Sequence, residues 1–307
     1  LQKEDDRLIT YLRNRSRKKD VLGQACKALL SRTKYYKRKE DEAERKCTKT
    51  LSKDTVTPEA KTKKTPPPDP WASLSNKISI IKTLKKDVAT FLLGYWYRNN
   101  NFDELYDTFE IPKRSGGKRK IESPKPALKI AQKKVLARLS SDIRLHVSCH
   151  GFRKRHSIIT NAKPHVGRPV VVNLDIKDFF PTISAARVYG IYRSFGYEGE
   201  EASFLTALST YNGRLPQGAP TSPLLANITC IRLDYRLAGL AKKLGAEYTR
   251  YADDLTISGP ESIINYIDII KKIVAEEGFN IALPKIRIHR RGARQEVTGL
   301  TVNDKVT

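Results

Sequence analysis

From residue 77 onward, the apolar positions fall into short blocks whose spacing changes along the chain. After Ser75, a residue suited to cap a helix, Ile78, Ile81, Leu84, Val88, Phe91 and Leu92 recur at intervals of three and four, the period of one helical face. Pro112 to Pro126 is basic and Gly-rich and predicts a hairpin or loop, and a helix is expected near Leu128 to Leu139. Pro169 to Ile176 (Pro-Val-Val-Val-Asn-Leu-Asp-Ile) has no helical period and reads as a strand. Ser184 to Phe195 and Pro223 to Leu244 predict helices, with Pro223 suited to a first turn. Tyr248 to Ser258 reads as strand, tight turn and strand, and Ile263 to Glu277 as an amphipathic helix closed by Gly278. Ile281 to His289 and Glu296 to Val302 again have strand character. Interleaved strands and helices without strict alternation predict an α+β chain.

The first 70 residues follow another pattern. Residues 3 to 32 carry a thin apolar face (Leu8, Ile9, Leu12, Leu22, Leu29, Leu30) consistent with one or two basic helices. Ser31 to Lys64 is mostly Lys, Arg, Glu and Thr, too polar to offset its own ordering entropy. Thr65-Pro66-Pro67-Pro68-Asp69-Pro70 is a stiff linker. A basic extension, residues 1–70, is therefore expected to precede a folded region. The extension could bind RNA backbone, contact another protein or only solubilise. The chain starts at Leu1 and contains no Met, as a fragment would.

Charge narrows the function classes. Lys and Arg number 58 against 33 Asp and Glu, a formal net charge of +25. Such an excess attracts a polyanion, nucleic acid above all, although a basic tail on an ordinary domain gives the same total. No apolar stretch approaches the roughly 20 residues of a membrane helix, and no signal-peptide core is present at the N-terminus. A cytoplasmic, membrane-free protein is expected. Cys26, Cys47, Cys149 and Cys230 form no CxxC pair, which argues against a zinc site or disulfide framework.

Candidate chemistry lies in three carboxylates. Asp175 closes the strand that begins at Pro169, and Asp253-Asp254 sits between two short apolar runs. Adjacent acids in a strand point to opposite faces, so a hairpin tip is needed to bring both towards one cation. Two such strands side by side would gather an oxygen cluster of the kind that hard cations prefer. Alone, an Asp-Asp pair is most often a solvated turn and a strand-end Asp a cap.

Tyr251-Ala252-Asp253-Asp254 together with Asp175-Ile176-Lys177-Asp178-Phe179-Phe180 resembles the reverse transcriptases, specifically their bacterial retron and group II intron-like branch. Three further blocks occur in the family's order: Lys113-Arg-Ser-Gly-Gly-Lys-Arg-Lys-Ile121, Leu215-Pro-Gln-Gly-Ala-Pro-Thr-Ser-Pro223, and Lys285. Asn161-Ala-Lys-Pro-His165 and Val297-Thr298-Gly299 match elements of retron enzymes. The resemblance implies a right-hand polymerase, with helical fingers over residues 71–170 and an antiparallel palm sheet over residues 171–307. The thumb that would follow Val297-Thr298-Gly299 is expected to be missing or truncated, since only Leu300 to Thr307 remain. Asp175, Asp253 and Asp254 would hold two Mg2+ ions. Lys113, Lys118 and Arg119 would grip the triphosphate of a dNTP. Phe179, Phe180, Gln217 and Gly218 would line its pocket, with Phe180 excluding a 2′-hydroxyl, and Lys285 would protonate the pyrophosphate. Asn161, His165, Arg153 and Lys154 would contact RNA.

The partners implied are a cognate structured noncoding RNA, which both templates and primes through a guanosine 2′-hydroxyl, its branched DNA product, dNTPs and an effector protein in anti-phage defence. Another bacterial reverse transcriptase and a noncatalytic RNA-binding scaffold on the same fold are the competing readings. Retention of all three aspartates, Arg119 and Gln217 argues against the scaffold.

Overall fold

The computed structural model describes residues 82–112 and 116–307. The boundary placed near residue 70, the basic extension and Lys113 lie outside them. The chain divides into two units after Asn101. In the first, α1 (Lys86–Asn99) buries Ala89, Leu92 and Leu93 on one side and ends at Asn100, whose left-handed backbone (φ 54°) closes the last turn onto the Trp96 carbonyl. Leu84 precedes the helix rather than lying within it.

The second unit, Phe102–Thr307, is α+β. It opens with an antiparallel hairpin, β1 (Tyr106–Pro112) and β2 (Lys118–Pro124). The helix α2 (Pro126–Asp142) and the short α3 (Ile158–Ala162) follow. Ser157 and Thr160 start α3 with a reciprocal capping box. Next come β3 (Val170–Asp175), α4 (Phe179–Thr182), α5 (Ala185–Ser194) and α6 (Gly199–Ser209). A helical pair, α7 (Ser222–Thr229) and α8 (Ile231–Lys243), leads into β4 (Glu247–Tyr251), β5 (Asp254–Gly259), α9 (Ile267–Glu276) and β6 (Arg287–Arg290). The small hairpin β7 (Glu296–Val297) and β8 (Leu300–Thr301) completes the unit.

The central sheet runs β4-β5-β3-β6 with every neighbouring pair antiparallel. In β3, Val170, Val171, Val172 and Leu174 are all buried, because both faces of this strand are covered. Val171 packs with Ala162, Val297 and Val302, which joins α3 and the C-terminal hairpin to the sheet. α8 packs on β4 and against α9, and α5 packs on α6.

Three sequence expectations are corrected in detail. The helix expected over Pro223 to Leu244 is two helices that meet at Cys230. The β-branched run Ile228-Thr229 and the back-bond from Thr229 Oγ1 to the Leu225 carbonyl lie at the break. The first turn of the helix expected from Ile263 is a 3-10 segment, Glu261–Tyr266. Its other end is as expected: Phe279 N–H reaches the Val274 carbonyl and Gly278 (φ 77°) the Ala275 carbonyl, a Schellman closure. The strand expected over Ile281 to His289 is interrupted by a 3-10 turn, Leu283–Lys285, and becomes regular only at Arg287. Pro284 has no N–H to give to a ladder, and the turn it sits in carries Lys285.

Candidate active site

β4 and β5 are joined by a two-residue loop, Ala252-Asp253, and Asp254 opens β5 directly opposite Asp175, the last residue of β3. Strand register thus brings Asp175, Asp253 and Asp254 to one end of the sheet, although 77 residues of chain separate Asp175 from Asp253. The loop is strained, since Ala252 has φ 58°, a region that non-glycine residues rarely adopt. Three contacts hold it. Arg250 Nη1 donates to the Ala252 carbonyl at 3.0 Å. Ile176 N–H donates to the Asp253 carbonyl at 3.0 Å. Gly151 lies so close beneath that a Cβ there would stand 2.3 Å from the Ala252 nitrogen.

Arg250 is the centre of a buried polar cluster. Its side chain is 0% exposed and that of Asp234, on α8, is 1% exposed. The guanidinium meets both Asp234 oxygens, at 2.8 and 2.7 Å, and the Asn227 amide oxygen at 3.0 Å. Tyr248 donates to Asp234 at 2.8 Å, and Asn227 Nδ2 donates to the Gly151 carbonyl at 2.9 Å. Burial pushes the neighbouring thiols of Cys149 and Cys230 upward, the latter to about 12, so both are neutral near pH 7 and Asp234 is the counter-charge to Arg250. A fork with five donors suits this junction in a way a point charge does not.

The carboxylate cluster is electrostatically uncomfortable. Lost hydration pushes the Asp253 carboxyl up, with the Asp175 charge adding to the shift and Lys285 and Arg119 opposing it. Asp254 rises to about 6, first from lost hydration and then from the Asp253 and Asp175 charges. A dication would relieve this repulsion, and an all-carboxylate donor set fits a hard cation. Among the described residues, however, His, Cys, Asp and Glu side chains do not converge as a preformed group of three ligands. Asp175 instead accepts two hydrogen bonds from Lys285 Nζ, at 2.8 and 2.9 Å, and this partnership holds the Lys285 ammonium above its ordinary value. The Ala282 N–H bond to the Asp175 carbonyl brings the lysine's 3-10 turn to this position.

Two clefts meet at the aspartates. The larger, about 800 Å³, is lined by Asp175, Asp253, Arg119, Phe180, Gln217 and Lys285, with Lys118 and Gly218 at its wall. The smaller, about 380 Å³, lies on the Asp254 side and is bordered by Arg287, His289 and Thr298. Glu122 on β2 ties the β1–β2 hairpin to the Gln217 loop. This carboxylate is buried, pairs with Arg214 through two hydrogen bonds of 2.7 and 3.0 Å, and accepts the Gln217 N–H. The Glu122 N–H in turn bonds the Gln217 carbonyl at 2.9 Å. Gly218 (φ 145°) permits this approach, since a Cβ there would lie 2.7 Å from the Glu122 carbonyl oxygen.

Most sequence-derived candidates converge on these clefts, and four do not: Asn161, His165, Arg153 and Lys154. His165 and Asn161 are wholly buried and present no surface to RNA. The His165 ring bridges Ser258 Oγ (2.6 Å) and Thr249 Oγ1 (2.8 Å) behind the β4–β5 hairpin. Burial lowers its pKa to about 3, so it is neutral. Arg153 turns inward to the His146 and Cys149 carbonyls. Phe179 is buried against Phe279 and Phe180 at the wall of the larger cleft, and the Phe180 ring is the more open of the two. Lys154 is exposed, and Lys118 is an exposed partner of Glu110. Val297-Thr298-Gly299 is a turn: Thr298 (φ 49°) and Gly299 (φ 84°) form the two-residue loop between β7 and β8. The sequence reading missed Glu122, Arg214, Asn227, Asp234 and Arg250. The signal available was at most a polar or charged side chain in the run, which does not name a partner.

A family model described as reverse transcriptase (RNA-dependent DNA polymerase) matches residues 111–303. The retron Mx65 reverse transcriptase of Myxococcus xanthus is 45% identical over 218 residues, covering 64% of this chain and 51% of that one. The retron Mx162 reverse transcriptase of the same organism is 38% identical over 260 residues, 75% and 54% of the two chains. The retron Ec86 reverse transcriptase of Escherichia coli is 38% identical over 207 residues, 66% and 65% of the two chains. The chain thus spans about half to two thirds of the length of these relatives. Among the described residues no helix is long and apolar enough to cross a membrane.

Proposed function

The chain belongs to the reverse transcriptase family, within its bacterial retron branch, and from that premise we propose that it is the polymerising core of an RNA-directed DNA polymerase acting on a cognate structured noncoding RNA. In this reading the RNA is both template and primer. A 2′-hydroxyl starts synthesis, the product is single-stranded DNA branched from RNA, and an effector protein couples it to anti-phage defence.

The observation that carries the reading is the shared cleft, in which Asp175 and Asp253 face the same space as Arg119, Gln217 and Phe180. Asp175, Asp253 and Asp254 would hold divalent cations, Mg2+ in this reading, which would neutralise charge at the reacting phosphate and acidify the attacking hydroxyl. Arg119 and Lys118, with Lys113, would receive the triphosphate, the Arg fork matching its paired oxygens. Gln217 and Phe180 would line the base and sugar positions, and Phe180 would disfavour a 2′-hydroxyl. Lys285, kept protonated by Asp175, would hold a proton at Nζ for the departing pyrophosphate. The smaller cleft beside Asp254, with Arg287 and His289, suits the strand that carries the attacking hydroxyl.

The test is to purify the full-length protein with its nucleic acid, wild type beside Asp253→Asn, and to treat each with RNase and DNase separately. A small DNA joined to an RNA nucleotide, found with wild type alone, is expected. The same DNA in both samples, or in neither, would remove the assignment.

A further inference from the structure

Phe152 combines three features that are each unfavourable for a purely structural residue. The residue is 49% exposed, its backbone has φ 57°, and both neighbours are pinned. Gly151, before it, is held by the Asn227 amide and pressed against Ala252, and Arg153, after it, is tied to the His146 and Cys149 carbonyls. A left-handed conformation is a true outlier for an aromatic residue, and it persists only where the surroundings over-determine it. These contacts point the ring into the larger cleft, where it meets Phe180 with ring centres 6.1 Å apart and planes tilted by 48°. On its other side Phe180 rests on Phe179 at 5.4 Å, and Phe179 rests on Phe279 at 5.8 Å.

Among the described residues, Phe180 thus stands in a row of aromatic rings, with Phe179 on the core side and the exposed Phe152 on the other. We propose that Phe152 is a positioning residue for sugar selection: it fixes the Phe180 ring in the orientation that excludes a 2′-hydroxyl. Because Gly151 abuts Ala252, Phe152 also keeps that ring in register with the tip that carries Asp253. The proposal rests on the polymerase reading and on Phe180 as the sugar gate.

The experiment uses the full-length protein in primer extension on an RNA template, with kcat/KM measured for each dNTP and its rNTP. Phe152→Gly removes the ring and also relieves the left-handed strain, so it should unfold at or above the wild-type temperature. Its dNTP-over-rNTP preference should nevertheless fall about two- to twelvefold, the range that corresponds to one aromatic pair. Phe152→Tyr, which keeps the ring, should retain the wild-type ratio. Adding Phe152→Gly to Phe180→Ala should lower the ratio no further, since the residue acts through the Phe180 ring. An unchanged ratio in Phe152→Gly, an equal loss for both sugars, or independent multiplication of the two effects would each overturn the proposal while leaving the polymerase reading intact. Failure of the wild-type protein to extend any primer would overturn that reading, and the proposal with it.

Discussion

Replacing Arg250 by Met tests whether the hairpin that carries Asp253 and Asp254 depends on a buried charge. The substitution removes the two bonds to Asp234 and those to Asn227 and the Ala252 carbonyl. Asp234 is then left 1% exposed, with the Tyr248 hydroxyl at 2.8 Å as its remaining strong donor. Removing one partner of a buried pair costs about 3–5 kcal/mol, a large part of a stability of about 5–15 kcal/mol. Exchanging both partners for apolar residues is close to neutral, so Arg250→Met/Asp234→Leu should recover most of that loss. Activity should not return with it, because the Ala252 carbonyl still lacks its donor and the strained tip is free to relax. Urea unfolding at pH 7 measures the first quantity and primer extension the second. Arg250→Met within about 1 kcal/mol of wild type would refute the energetic argument. Full activity in the double variant would refute the positioning role.

Two further predictions follow from the same hairpin and the wall opposite it. His165 is buried and neutral with its pKa lowered to about 3. The unfolded chain therefore takes up a proton first as pH falls through about 6.5, and the fold loses about 2 kcal/mol by pH 5. Urea midpoints at pH 7 and pH 5 should show this loss in wild type and a much smaller one in His165→Gln; equal losses would mean that other groups control the acid limb. Gly218→Ala sets a methyl group 2.7 Å from the Glu122 carbonyl, so the β1–β2 hairpin must retreat from the Gln217 loop. About 1–3 kcal/mol of stability should be lost, and KM for dNTPs should rise more than kcat falls. An unchanged KM would show that the hairpin does not set the nucleotide cleft.

Local patterns alone determined much of this protein. The apolar run before Asp175 read as a strand, and the acidic pair between two short apolar runs needed a hairpin tip to bring both carboxylates towards one cation. The period-2 and period-3.6 rules are properties of neighbouring residues and need no knowledge of the rest of the chain. The family blocks then told which carboxylates belonged together. What the sequence could not supply was the partner of each charge. Arg250 reads as one more basic residue in a chain with a formal net charge of +25, yet it is the buried counter-ion of Asp234. Glu122 stands in a basic hairpin and holds Arg214, 92 residues away. His165 matches an element expected to touch RNA and instead fills the core behind β4 and β5. Lys285 reaches Asp175 because a 3-10 turn replaces a strand. Whether a polar side chain is solvated or buried depends on what packs over it from distant parts of the chain. That is decided by tertiary contacts, and in a low-dielectric interior those contacts determine whether a charge is a liability or a support.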